Sequence, residues 1–184
     1  MMMMKRVLHK LQNKARRWRK REEGATAVEF ALIAMVFFWV FMGIVELGMM
    51  MIFNNGLEDG VDRAARLVRT GQADKKNMTA KLLKQAICER VMLKTSCMSD
   101  LILDVRSFKD FASIKVPALK TGPTGSLTMS TSYQLGGPKK VVVVRAFYPW
   151  KFFTPLIGSL MHAIDGKVFI LNAAMAFRNE PYGS

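Results

Sequence analysis

Glu29 is the residue of this chain with the clearest chemical task. It lies five residues past Gly24, inside REEGATAVEFALIAMVFFWVFMGIVELGMMMIF, Arg21 to Phe53. There a basic run ends, a small-residue break follows at Gly24-Ala25, and a long apolar segment begins. A plain membrane anchor has no use for a carboxylate at that point. A subunit clipped after Gly24 and stacked beside copies of itself does. Such a cut would free an α-amino group that is largely protonated near neutral pH, one helical turn from Glu29. An amine buried among packed helices is tolerable mainly when a carboxylate neutralises it. Glu29 can do this for Ala25 of a neighbour, or for its own Ala25 at spacing i, i+4; the sequence leaves both open.

Three other groups of residues could carry chemistry. Glu46 is the second carboxylate of the apolar segment, and a glutamate within a membrane is costly enough to be functional by default. It can also simply snorkel to the headgroups. Gly43 and Gly48 flank it, and small residues there let another helix come close, so Gly43, Glu46 and Gly48 are candidate helix-packing positions. Cys88 and Cys97 are the only cysteines. On the translocated side of a membrane they meet an oxidising compartment, and a bridge between them would pin the end of a helix to the start of a strand. Two unrelated thiols are the alternative. His9 and His162 are isolated, and no zinc spacing is present. No nucleophile–base set or phosphate loop is read either. The expectation is a protein that is not an enzyme, with no catalytic residue, no metal and no cofactor.

The elements that position these residues follow from charge and periodicity. The chain has 184 residues and a formal net charge of +14. Residues 1–24 hold nine Lys or Arg against two Glu, half of that excess in an eighth of the chain. Positive segments stay cytoplasmic, so the N-terminus is expected in the cytoplasm and the rest across the bilayer. A basic arm for nucleic acid is the competing reading; Trp18 is its only aromatic residue, no nucleic-acid fold follows, and no nucleic-acid partner is expected. Ala25 to Phe53 holds only Glu29 and Glu46 as charges. Its charge-free part, Phe30 to Val45, makes about 24 Å of helix, against a hydrocarbon core of about 30 Å. Leu57, Val61, Ala64, Ala65 and Val68 continue the helical spacing to a cap at Gly71. Gly56 and Gly60 are expected to weaken the helix and allow a bend.

A second helix is predicted over Met78 to Leu93, capped by Asn77. Leu101 to Arg106 alternates as a half-buried strand, and Phe111 to Gly125 reads as a loop. Leu127 to Tyr133 is a weaker strand, and valine-rich Lys140 to Tyr148 is the clearest one. Thr154 before Pro155 signals a helix over Pro155 to Ile164. Val168 to Phe177 closes the series. Short connections make the sheet mostly antiparallel.

EGATAVEFALIAMVFFWVFMGIVELG is similar to the N-terminal signature of TadE-like pseudopilins, minor components of the tight-adherence (Flp-type) pilus system. VVVVRAFYPW followed by TPLIG, and the ending FILNAAMAFRNEPYGS with Arg178-Asn179-Glu180-Pro181, resemble the same family. The resemblance implies a prepilin peptidase cutting between Gly24 and Ala25, with Glu29 as the fifth mature residue serving subunit assembly. Ala25, where major type IV pilins have phenylalanine, is a departure. The implied fold class is α+β: a long N-terminal transmembrane helix continues into a type IV pilin-like globular domain with a second helix and a small, mostly antiparallel sheet. The implied division is a basic leader over 1–24, a transmembrane helix over 25–53 and an extracytoplasmic domain over 54–184. The implied partners are the peptidase, other major and minor pilins, the inner-membrane assembly platform and the lipid bilayer. Location is expected in a bacterial inner membrane, single pass, with entry into an extracellular pilus serving attachment and biofilm growth. An unprocessed inner-membrane scaffold of the pilus machine is the alternative; it shares the topology but needs neither Gly24 nor Glu29.

Overall fold

A computed structural model describes residues 22–121, 127–161, 163–164 and 167–182. The expected basic leader therefore lies almost wholly outside the described residues. The chain divides into two compact units, one up to Ile44 and the other from Val45 onward. The first helix, α1 (Glu22–Arg69), contributes to both.

Within the first unit, every residue from Gly24 to Ile44 is exposed except Ala34, Trp39 and Gly43. Val28, Phe30, Leu32, Ile33, Met35 and Val36 all face outward. Among the described residues α1 is the helix long and apolar enough to cross a membrane, which suggests a single-pass membrane protein.

The second unit is built on the other part of α1. Met50, Phe53, Leu57, Val61, Ala64 and Val68 are buried, three or four residues apart, so they form one stripe, with Ala65 buried beside it. Leu47, Met49, Met50 and Phe53, which the sequence places in the span, pack in or against this core. Phe53 lies 4.3 Å, centroid to centroid, from Tyr148 and edge-on to Trp150 at 5.6 Å. Short helices follow: α2 (Gln72–Lys75), α3 (Ala80–Cys88) and α4 (Lys94–Asp100). Then come β1 (Ile102–Phe108), β2 (Lys120–Thr121), β3 (Leu127–Thr128), β4 (Val141–Lys151), α5 (Ile157–Leu160) and β5 (Val168–Arg178).

The main sheet has the order β1-β4-β5 and is antiparallel throughout. Val142, Val144, Ala146, Tyr148 and Trp150 of β4 alternate onto the face that shares the core with α1 and α3. The fold class is thus α+β, a long apolar helix followed by shorter helices and a small antiparallel sheet.

Several local expectations change. Gly56 and Gly60 do not interrupt α1. They let α3 come close: a Cβ on Gly60 would lie 2.6 Å from the Ile87 carbonyl oxygen, and one on Gly56 2.7 Å from that of Arg90. The cap of α3 is Thr79, whose hydroxyl accepts the Leu82 N–H, and not Asn77. Asn77 instead donates its N–H to the Asp74 carbonyl at a positive φ of 47°. The helix ends at Cys88 rather than Leu93, because Arg90 and Val91 donate back to Ile87 and Cys88 in tighter turns. The weak strand after Leu127 shrinks to a two-residue pairing of β3 with β2. Tyr133 bridges β1 in parallel at Val105 instead. The helix expected from Pro155 is one turn, α5, and Leu156 in the left-handed region precedes it.

Candidate functional site

Gly24, Ala25 and Glu29 lie on the first turns of α1, and all three are exposed. A side chain added at Gly24 would meet nothing within 4 Å. The i, i+4 spacing puts Ala25 and Glu29 on one face of the helix, one turn apart. Val28 and Phe30 beside Glu29 are 60% and 72% exposed. An exposed carboxylate among exposed apolar side chains is open to a basic group from outside the chain.

Glu46 sits differently. Its side chain is fully buried. Oε1 accepts the backbone N–H of Phe153 at 2.7 Å, and Oε2 accepts that of Thr154 at 2.9 Å. The carboxylate thus ties α1 to the chain leaving β4. Thr154 does not cap a helix: the helix begins at Ile157 with Leu156 before it, and the buried Thr154 hydroxyl has no partner among the described residues. Gly43 is buried, whereas Gly48 is exposed and has open space where a Cβ would be. The three candidate packing positions do not form one uniform surface.

Cys88 and Cys97 are joined in a disulfide, with Cα atoms 5.6 Å apart. Both residues are buried, and both belong to the core. The bridge joins the end of α3 to α4, a helix the sequence reading missed. KTSCMSD has too few apolar residues to show a helical period.

Two further clusters also went unread. Asp104 on β1 faces Arg145 on β4 in the sheet register. The Arg145 guanidinium donates to Asp104 Oδ2 from Nη2 at 2.7 Å and to the Pro117 carbonyl from Nη1 at 3.0 Å. Ser132 N–H donates to Asp104 Oδ1 at 2.8 Å. Arg106 Nε reaches both carboxylate oxygens at 3.1 Å and its Nη2 donates to the Ser130 carbonyl. Burial pushes the Asp104 carboxyl up, but Arg145, the Ser132 N–H and Arg106 together hold it below the ordinary carboxylate value. The signal was a lone charge inside each of two apolar strands, LILDV and VVVVRAF.

At the other end of the unit, Asn179 Nδ2 donates to the Leu135 and Gly137 carbonyls at 3.0 and 3.1 Å. Glu180 N–H donates to the Arg69 carbonyl at 2.9 Å. The Tyr182 ring covers Gly71, where a Cβ would lie 2.5 Å from it. Gly71 has φ 71°, so glycine is needed there twice over, for conformation and for space. The RNEPY ending therefore clasps the end of α1.

Among the described residues no group of three His, Cys, Asp or Glu could hold a metal ion. No curated protein and no solved structure matches the chain. The family model described as TadE-like protein matches residues 24–66, and this bears out the resemblance of the N-terminal signature to that family.

Proposed function

We propose that the chain is a minor pilin or pseudopilin of a tight-adherence pilus. A prepilin peptidase removes residues 1–24, and the mature subunit then packs through its apolar helix against other pilins. The observation that carries this reading is Glu29, exposed one turn from Ala25 on a helix whose apolar side chains from Val28 to Val36 are exposed. The family match, which begins at Gly24 and takes in this same stretch, supports it. The subunit holds Glu29 ready for the amine that the cut creates, and the uncovered apolar residues 28–45 serve first the bilayer and then the neighbouring helices. The second unit, stiffened by the Asp104–Arg145 pair and the disulfide, lies outside the cytoplasm, and the assembled fibre serves attachment and biofilm growth. Catalysis has no part in this reading.

Mass spectrometry of the protein extracted from its host's membranes tests it. The expected N-terminus is Ala25. A chain that keeps residues 1–24 in cells with an active prepilin peptidase would instead be the unprocessed scaffold.

A further inference from the structure

The stretch after β4 exposes large apolar side chains that the second unit does not cover. Phe153, Leu156 and Leu160 are 55%, 66% and 67% exposed. Leu156 is presented at φ 69°, a left-handed conformation that a bulky residue seldom adopts. Strained backbone of this kind persists where the surroundings impose it, and it gathers at functional positions. Lys151 and Lys167, exposed, stand at the two feet of the connection between β4 and β5.

Glu46 fixes where this stretch lies. Its oxygens hold the N–H groups of Phe153 and Thr154, so the stretch starts at the level of residue 46 on α1. Glu46 follows directly on Val45, the last residue of the charge-free run from Phe30. That run is about 24 Å long as a helix, short of a hydrocarbon core of about 30 Å. A free glutamate would set the membrane boundary at its own position. This one is buried with both oxygens bonded, so it does not have to reach water. Beyond it on α1, Met51 and Ile52 are again exposed, at 64% and 56%.

We propose that the stretch from Lys151 to Leu160 rests on the bilayer where α1 leaves it. Phe153, Leu156 and Leu160 enter the boundary between headgroups and acyl chains, while Lys151 and Lys167 meet anionic headgroups. Apolar side chains beside lysines suit this boundary, where the apolar part is buried and the ammonium groups meet anionic lipid. This rests on α1 spanning the membrane, which the proposed function shares, and not on cleavage or pilus assembly, so retention of residues 1–24 would overturn that function and leave this proposal standing.

The test uses the full chain in phosphatidylcholine–phosphatidylglycerol vesicles. A nitroxide is placed on Leu160→Cys, with Phe153→Cys as a second site and Lys109→Cys as an exposed control. The native cysteines are in their bridge and do not take the label. Collision rates with oxygen and with a water-soluble nickel chelate are measured by electron paramagnetic resonance. The expected oxygen-to-nickel ratio at residues 160 and 153 is several-fold above that at residue 109. Equal ratios at all three sites would overturn the proposal. So would protection from both reagents at 160 and 153, which would mean that protein, a second copy included, covers them.

Discussion

Glu46 Oε2 accepts the backbone N–H of Thr154 at 2.9 Å, across 108 residues of sequence. With the 2.7 Å bond from Phe153 to Oε1, one buried carboxylate satisfies two adjacent backbone donors. A buried donor left unpaired costs about 1–3 kcal/mol. Glu46→Ala orphans both, and should lower unfolding stability by about 2–4 kcal/mol. Glu46→Gln keeps one acceptor oxygen and turns a donor toward the other N–H, so it should fall short of the parent as well. Thermal unfolding in detergent, followed by near-ultraviolet circular dichroism, measures both. A Glu46→Ala midpoint equal to the parent's would show that the two bonds contribute nothing.

Asp104 gives the second unit a defined acid limit. Its carboxyl is held below its ordinary value of 3.8 in the folded state. A group lowered on folding contributes stability that is complete above the unfolded value, about pH 4, and is lost as pH falls through the folded one. The contribution of Asp104 should therefore be complete above about pH 4 and fall away below it. Asp104→Asn leaves the nearly buried Arg145 guanidinium without its counter-charge. Breaking such a pair costs about 3–5 kcal/mol, and the variant should show a weaker dependence on pH below 4. Replacing both partners, Asp104→Leu with Arg145→Met, should recover most of the loss, because an apolar pair avoids burying charge. Urea titrations at several pH values check the single and double variants.

Glycines on α1 separate into two kinds. At Gly60 a methyl group would meet the Ile87 carbonyl oxygen at 2.6 Å, whereas at Gly48 it would meet nothing within 4 Å. Gly60→Ala must push α3 off α1 and should cost about 1–3 kcal/mol. Gly48→Ala removes backbone freedom from an exposed helical position and should stabilise the isolated subunit by about 0.5–1 kcal/mol. If Gly48 is a contact between subunits, the same change lowers the yield of assembled pili. Paired measurements of unfolding and of pili sheared from cells separate these effects.

The features legible in the sequence are those set by local period. α1 could be read because its buried stripe repeats through Phe53, Leu57, Val61, Ala64 and Val68. β4 could be read because Val141 to Val144 favour an extended chain from both faces. What escaped depends on residues far apart. The length of α3 is limited by the turns that bring Cys88 to Cys97, and α4 has no stripe of its own. Thr154-Pro155 carries a genuine helix-start signal, but the chain turns through Leu156 in the left-handed region, and the helix starts only at Ile157. Asp104 and Arg145 were visible as charges inside apolar strands, yet only the register pairs them. Gly56 and Gly60 look like helix breakers until the backbone of α3 lies against them.

The disulfide should matter most when the unit is otherwise weakened. Closing a loop of nine residues contributes about 2–3 kcal/mol on the chain-entropy estimate. Replacing both cysteines by alanine should lower stability by that amount and leave the β1-β4-β5 sheet intact. Alkylation without reductant, applied to protein exported by its host, should modify neither thiol. Labelling of both would mean that the bridge does not form there.

Glu29 is the point at which charge and geometry can be told apart. If its carboxylate neutralises the Ala25 amine, Glu29→Asp keeps the charge at a shorter reach, and Glu29→Gln keeps the reach without the charge. An amine packed among apolar helices loses its only nearby counter-charge in the second case, and an unpaired buried charge is strongly unfavourable. Pilus yield should therefore follow the order parent, Asp, Gln, with Gln lowest, while unfolding of the second unit stays unchanged in all three. The residue is exposed in the single chain, so the isolated subunit gives no reason for stability to change. Equal loss for Asp and Gln would assign Glu29 a geometric role. Full assembly of both would leave the carboxylate with no part in stacking.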